Sequence, residues 1–313
     1  MKSTIIQLAA TVSTATVVYA AQPTDQGSQD SGKGQHIAKA SAEANAKLGV
    51  ASKLLTLKKD DRISIIGAGL ASRMMKYSHF ETELHLRNPD KNLIIRNLAD
   101  EGNTPAFRPH PGVPNQFAFP GGEDLYKKYN YGKSGGARGH YDNTDQWLTN
   151  LKTDTVIAFF GFNSSFRGEA GLELYKQELS MFIDHTLAQK YNGESAPQLA
   201  IVSPTAVQDL SKTHHTPVGD VQNSNLNLYT QAMKEVCAAK GVLFIDLFSP
   251  SKIIFDASEE PLTIDGALLN SKAYEWLATR LANDLYGKTQ PDNQHKELVH
   301  AAVAEKNLSL IHI

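Results

Sequence analysis

Five short apolar runs, separated by longer stretches, are the main regularity of this chain. The runs lie at residues 63–67, 92–98, 155–162, 198–204 and 243–248. Each run is largely continuous in apolar residues rather than alternating, which is typical of strands that are covered on both faces. Apolar residues recur with helical spacing between the later runs, at residues 169–190, 223–240 and 271–285.

Strands that alternate with helices predict an α/β fold, in which helices cover both faces of a parallel sheet. We therefore expect a three-layer α/β/α sandwich. Ligands of such sheets bind outside the carboxyl ends of the strands. Residues that directly follow an apolar run are therefore the first candidates for binding and chemistry.

The beginning of the chain has the pattern of a secretory signal. Lys2 precedes a mostly apolar stretch at residues 5–18, and Val18-Tyr19-Ala20 before Ala21 fits a small-residue cleavage site. We expect residues 1–20 to direct export, so that the protein is secreted or periplasmic, with no membrane span in the mature chain. Residues 21–57 are expected to be a linker, since much of this stretch is polar and lacks aromatic side chains.

Composition excludes several classes of function. The chain has 313 residues, of which 41% are hydrophobic, and its formal net charge is -2. Scattered basic residues argue against nucleic-acid binding, which needs a clustered basic face. The single cysteine, Cys237, excludes an internal disulfide and falls on the apolar face of a predicted helix. The histidines show no metal-ligand spacing, so we expect neither a metal nor a cofactor.

Residues 99–151 interrupt the alternation with a segment rich in glycine, proline and aromatic residues. A loop of this length inside a compact domain is usually functional or disordered, and the aromatic residues favour order. We expect Tyr129, Tyr131 and Trp147 to bind substrate on one wall of a cleft. The alternative is a surface insertion that packs on itself.

The polar tail at residues 289–313 follows a main domain that we expect to span residues 58–288. Its last six residues, Leu308-Ser309-Leu310-Ile311-His312-Ile313, match what a common sequencing-library adapter encodes in one frame. We therefore expect residues 308–313 to be artificial and the natural gene to continue differently.

Four short blocks follow these apolar runs or precede the last predicted helix. The first is Gly67-Ala68-Gly69-Leu70, directly after the first run. The second ends in Glu101-Gly102-Asn103, the third is Gly161-Phe162-Asn163, and the fourth is Asp265-Gly266-Ala267-Leu268.

In order and spacing these blocks resemble those of the SGNH (GDSL-type) ester hydrolases. The resemblance implies the SGNH hydrolase fold, with a parallel, flavodoxin-like five-stranded sheet. It also implies that Gly69 stands where the nucleophilic serine belongs and Leu268 where the histidine belongs. Gly102 and Asn163 match the oxyanion donors, and Asp265 matches the acid that orients the histidine.

The two altered positions change the expected chemistry. In triad catalysis a hydroxyl attacks, an imidazole accepts its proton and a carboxylate orients the imidazole. Neither glycine nor leucine can take those roles. The resemblance therefore implies a protein related to carbohydrate or lipid ester hydrolases with little activity of its own. The nearby hydroxyls Ser72, Ser164 and Ser165 lack a predicted activating base.

Two other interpretations remain open. The first is a binding module that uses the same cleft to recognise acylated or plain polysaccharide. The second is a dinucleotide-binding fold, because Gly67-Ala68-Gly69 follows a strand as in the Gly-x-Gly-x-x-Gly fingerprint. Ser72 occupies the third glycine position of that fingerprint, and the second run ends in Arg96-Asn97 rather than in an acidic residue.

The chain also resembles a secreted bacterial subgroup of the SGNH hydrolases. That resemblance implies a fused haem-binding domain as a partner.

Overall fold

The computed structural model describes residues 53–110, 112–127 and 139–311. The expected signal at residues 1–20, most of the expected linker, and Tyr129 and Tyr131 lie outside the described residues. Five strands form the centre of the fold: β1 (Arg62–Gly67), β2 (Ile94–Asn97), β3 (Thr155–Phe159), β4 (Gln198–Val202) and β5 (Leu243–Ile245).

All neighbouring strands are parallel, and their order across the sheet is β2-β1-β3-β4-β5. This is the flavodoxin-like order, so the predicted α/β class and sheet are confirmed. After β1 the chain forms β2 on one side of β1 and then β3 on its other side, so the topological switch point lies between β1 and β3. Rossmann dinucleotide folds use a different strand order, 3-2-1-4-5-6.

Helices fill the connections between the strands. Before the third strand these are α1 (Gly69–Ser72), α2 (Met74–Tyr77), α3 (His79–Arg87), α4 (Gly122–Tyr126) and α5 (Thr144–Asn150). After it come α6 (Phe162–Ser165), α7 (Leu172–Ala188), α8 (Ser211–His214), α9 (Asp220–Lys240), α10 (Phe248–Ala257), α11 (Ser271–Tyr286) and α12 (Lys296–Ile311). Two short 3₁₀ turns cover Glu169–Gly171 and Asn293–His295.

The alternating side chains of the central strands divide the core into two parts. Ile63, Ile65 and Ile157 pack with apolar residues of α3, α10 and α11 on one face. Val156 and Ala158 pack with those of α7 and α9 on the other face. Because both faces are covered, the strands are apolar along most of their length, as their sequence pattern predicts.

The insertion at residues 99–151 is ordered over much of its described part. Helix α5 begins with a capping box, in which Asn143 and Gln146 each bind the other's backbone N–H. Phe119 and Tyr126 are buried against α7, whereas Tyr141 and Trp147 are exposed by 62% and 42%. The aromatic residues of the insertion therefore divide between the core and an exposed surface.

Helix α12 lies within the tail expected at residues 289–313 and packs on α2 and α3. Val303 and Asn307 are buried there, and Lys306 Nζ lies 2.6 Å from Glu81 Oε1 of α3. No helix among the described residues is long and apolar enough to cross a membrane.

Candidate active site

The first block leaves β1 through a glycine that no other residue can replace without strain. Gly67 has φ +124°, and a Cβ placed on it would lie 2.0 Å from the backbone oxygen of Phe159. Its own carbonyl accepts hydrogen bonds from the Asp100 backbone N–H at 2.9 Å and from Asn103 Nδ2 at 3.1 Å. The ends of β1 and β3 and the second block are thereby held in close contact.

Gly69 begins α1 two residues after this contact. As the first residue of a helix, it has a backbone N–H with no acceptor in a preceding turn. A Cβ added at Gly69 would meet only Glu101 Cγ, at 3.9 Å, which is ordinary van der Waals contact. Space for a serine side chain therefore exists at the position where the resemblance expects the nucleophile.

The second and third blocks meet beside Gly69. Gly102 has φ +82°, a left-handed conformation that favours glycine, and it lines the same pocket as Gly69. Asn163, in α6, donates from Nδ2 to the backbone oxygen of Asn103 at 3.3 Å. That bond fixes the Asn163 amide next to Gly102, where both expected oxyanion donors border one space.

The fourth block places Leu268 at the pocket through a turn that Asp265 stabilises. Asp265 Oδ1 accepts the backbone N–H groups of Ala267 at 3.0 Å and Leu268 at 2.7 Å. Gly266 has φ +96°, and a Cβ there would lie 3.0 Å from the backbone oxygen of Gln208. Asp265 is exposed and is not among the residues that line the pocket, so its observed role is to shape this turn.

One pocket of about 230 Å³ joins the blocks. Its lining consists of Ala68, Gly69, Leu70, Glu101, Gly102, Phe159, Phe160, Phe162, Asn163, Ser203, Pro204, Thr205, Ala267, Leu268, Leu269 and Tyr274. Gly69, Gly102, Asn163 and Leu268 thus converge although about 200 positions separate the first from the last. We call this space the acyl pocket.

No histidine is among the described residues that line the acyl pocket. Ser203, which directly follows β4, is its one serine, and Ser203 is fully buried. Ser203 Oγ accepts the backbone N–H groups of Leu247 at 2.8 Å and Phe248 at 3.2 Å and donates to the oxygen of Pro204. Ser203 therefore caps α10, and no side-chain base contacts its hydroxyl among the described residues.

The serines considered from the sequence are also engaged or inaccessible. Ser72 Oγ donates to the oxygen of Gly69 at 3.2 Å, and Ser165 Oγ donates to that of Phe162 at 2.6 Å. Ser164 is buried, and its hydroxyl has no partner among the described residues. No side-chain base contacts any of the three hydroxyls within the described part of the chain. A replacement nucleophile is therefore not assembled here.

Glu101 and Tyr274 line the acyl pocket, but the sequence analysis gives neither a role: Glu101 is part of the second block without an assigned function, and Tyr274 belongs to no block. Glu101 is exposed and immediately precedes Gly102, so its place after the second strand was the available signal. Tyr274 comes from α11, far along the chain, and donates its hydroxyl to the oxygen of Leu70 at 3.0 Å. Burial raises the pKa of Tyr274, so its phenol stays neutral and acts as a hydrogen-bond donor.

Trp147 does not line the acyl pocket. It borders a second pocket of about 160 Å³, together with Asp100 and Asn103 of the second block. Glu101 and Gly102 line the acyl pocket, so the segment of residues 100–103 borders both pockets. Tyr129 and Tyr131, expected to bind substrate beside Trp147, lie outside the described residues. Among the described residues, no group of three or more His, Cys, Asp or Glu side chains could hold a metal ion.

Comparisons with known proteins identify the fold. No protein-family model matches the chain, and no curated protein matches it. Among solved structures, a catalytic variant of an acetylxylan esterase from Geobacillus stearothermophilus matches with a TM-score of 0.51 and 12% identity, covering 75% of this chain and 100% of that one.

A protein from Parabacteroides merdae described as a GDSL-like lipase also matches, with a TM-score of 0.51 and 12% identity over 74% of this chain and 99% of that one. At such low identity these likenesses show the fold alone. The chain has the fold of the SGNH (GDSL-like) hydrolases, which confirms the resemblance found in the four blocks at the level of structure.

Proposed function

We propose that this protein binds the acyl group of an ester in the acyl pocket of an SGNH hydrolase fold and hydrolyses the ester very slowly. One observation carries the proposal: four separate blocks meet at one pocket, which contains Gly69 and Leu268. The resemblance to the SGNH hydrolases expects a nucleophilic serine and a histidine base at these two positions, and glycine and leucine can bind an ester but cannot cleave it.

The groups that would hold an ester carbonyl are retained. The backbone N–H groups of Gly69 and Gly102 and the side-chain amide of Asn163 belong to the same pocket. Donors that border one space can bind a carbonyl oxygen whether or not a nucleophile is present. Residual rate enhancement from such a remnant is roughly 10³ over water, far below that of a complete triad.

The remaining walls suit a short apolar group. Phe159, Phe162, Leu268 and Leu269 line the acyl pocket with carbon atoms. Its 230 Å³ is smaller than the ~300 Å³ at the lower end of typical ligand pockets. A short acyl group therefore fits better than a long lipid chain. Among the structural neighbours, the acetylxylan esterase is named for such an ester, so we propose an O-acylated carbohydrate as the ligand.

The test measures binding and turnover separately. Hydrolysis of p-nitrophenyl acetate should exceed the uncatalysed rate by no more than roughly 10³-fold, and Asn163→Ala should lower this residual rate because it removes an oxyanion donor. A slowly hydrolysed acylated sugar should nevertheless raise the thermal midpoint by mass action. Leu268→Trp, which fills the pocket, should abolish that shift, whereas Leu228→Trp on the exposed face of α9 should not. Rapid turnover that persists after Asn163→Ala, or a shift insensitive to Leu268→Trp, would contradict the proposal.

We also propose that the protein is exported, on the evidence of the apolar stretch at residues 5–18 and the small residues before Ala21. Expression of the full chain in a bacterial host, followed by amino-terminal sequencing, tests this. A mature protein that begins at Ala21 outside the cytoplasm supports export. An unprocessed chain in the cytoplasm contradicts it.

A further inference from the structure

The second pocket is built from the aromatic insertion and the second block. The residues of its lining that matter here are Asp100, Asn103, Arg108, Tyr141, Asp142 and Trp147. None of them lines the acyl pocket. We call this space the insertion pocket.

Two aromatic side chains at the insertion pocket remain exposed. Tyr141 is 62% exposed and Trp147 is 42% exposed, whereas Phe119 and Tyr126 of the same insertion are buried. The Tyr141 ring packs against neighbouring residues. The Gly112 backbone lies so close that a Cβ added to it would be 2.4 Å from the ring, and the ring centroids of Tyr141 and His110 are 5.6 Å apart. Fixed, exposed aromatic rings offer flat apolar faces with a polar atom at the edge.

The polar lining provides acceptors next to those rings. Asp142 Oδ2 accepts a hydrogen bond from Asn150 Nδ2 at 2.7 Å, and Asp100 Oδ1 accepts one from the Glu101 backbone N–H at 2.8 Å. The second oxygen of each carboxylate has no partner among the described residues. A carboxylate accepts hydrogen bonds, so these oxygens can bind a ligand that donates them.

Arg108 also lines the insertion pocket, but its guanidinium is buried. The guanidinium stacks over the Phe160 ring at 4.8 Å, and its Nη1 and Nη2 are buried without a hydrogen-bond partner in the described part of the chain. Glu178 and Tyr126 are the groups whose charges act on it. A strongly anionic ligand would be repelled by Asp100 and Asp142, so the lining favours a ligand that donates hydrogen bonds and carries no negative charge.

We propose that the insertion pocket is a subsite for one ring of a neutral sugar, with hydroxyl groups bound by Asp100 and Asp142 and a ring face on Trp147 or Tyr141. Hydroxyl groups both donate and accept hydrogen bonds and carry no charge, which matches this lining. A volume of about 160 Å³ suits one ring rather than a chain. The inference rests on the proposed function and deepens it, because residues 100–103 border both pockets and the acyl pocket would bind the acyl group of the same ligand.

The experiment uses sugars without acyl groups, so that it does not depend on the acyl pocket. Neutral xylo-, cello- and manno-oligosaccharides are titrated into the full chain and binding is followed by calorimetry. At least one should bind, and Trp147→Ala and Asp142→Asn should each weaken it by about fivefold or more. Trp147→Tyr, which keeps an aromatic face, should restore most of the affinity.

Two matched controls separate local from general effects. Phe166→Ala removes another exposed aromatic side chain, and Asp184→Asn removes another exposed carboxylate; neither should change sugar binding. Failure of all neutral sugars to bind, preference for an acidic oligosaccharide, or equal losses in the controls would overturn the proposal. Comparing each plain sugar with its acylated form distinguishes the two proposals. Plain sugars that bind without any gain in affinity on acylation would contradict the proposed function alone, and an acylated sugar that binds when the plain sugar does not would contradict this subsite alone.

Discussion

Placing a serine and a histidine at the two positions where the proposed function expects catalytic groups should convert this pocket into an esterase. The variant is Gly69→Ser combined with Leu268→His. A Cβ at Gly69 meets only Glu101 Cγ at 3.9 Å, so the serine enters without a clash. Leu268 lies three residues after Asp265 on a turn that Asp265 already fixes, so a histidine there would have its orienting acid in the same turn.

The cost in stability should be small. Gly69 does not have the positive φ of Gly67, so a side chain is not strained there. Leu268 is half-buried, and the loss of its apolar contact amounts to about 1 kcal/mol, roughly half the value for a fully buried leucine. The double variant should therefore fold and unfold with a midpoint close to that of the natural chain.

The gain in rate should appear only when both groups are present. A serine without a base and a histidine without a nucleophile each leave the reaction near background, because the members of a triad act as a unit. Proton transfer by a positioned base contributes about 10²–10⁴-fold. We therefore expect the double variant to exceed either single variant by about 100-fold in kcat/KM.

The assay is hydrolysis of p-nitrophenyl acetate, with a burst of acyl-enzyme as the sign of a covalent intermediate. Gly69→Ala with Leu268→His is the matched control, since it lacks only the hydroxyl oxygen. Adding Asp265→Asn to the active variant keeps the turn's acceptor oxygen but removes the carboxylate charge, and should lose most of the gain. If the folded double variant binds the acyl ligand yet is no faster than the alanine control, the assignment of the four blocks to one reaction centre is wrong.

Three other predictions test the packing around the site. Gly67→Ala should lower the free energy of unfolding in urea by about 3 kcal/mol or more, because its Cβ would lie 2.0 Å from the backbone oxygen of Phe159. Gly241→Ala is the control: Gly241 also has a positive φ but no atom lies within 4 Å of the added Cβ, so the loss of stability should be much smaller. Cys237 is fully buried and burial raises its pKa to about 12, so thiol reagents at pH 8 should label it only after unfolding, and rapid labelling of the native chain would contradict that burial. Burial and Glu178 raise the pKa of Tyr126 to about 12, above the ~10 of an unfolded chain. The stability that this shift contributes is present below pH 10 and lost as pH rises toward 12, so the urea midpoint should fall over that range. Tyr126→Phe should make the fall smaller, and an unchanged fall in the variant would contradict the prediction.

The sheet was predictable from local pattern because its strands are buried on both faces. Such strands are nearly continuous in apolar residues, and each observed strand lies largely within a predicted run. The ends were less predictable. The run at residues 155–162 continues past β3, which ends at Phe159 because Gly161 adopts φ +109° and turns the chain into α6.

The four blocks were visible in the sequence because each requires particular residues at a turn. Gly67, Gly102 and Gly266 all adopt positive φ, and the chemistry of Asn163 depends on its side-chain type. What the sequence could not place was Asp265. Its match to a catalytic acid left open whether the carboxylate faces the pocket or caps its own turn, and the structure shows the turn.

Residue type and local spacing were enough to predict the α/β class and the order of the strands and later helices along the chain. Which distant residues share a pocket was settled by tertiary packing. Tyr274 reaches Leu70 from more than 200 positions away, and Trp147 faces a different pocket from the one that the sequence suggested. Such contacts depend on how strands pair and how the insertion packs on α7, and no local pattern carries that information.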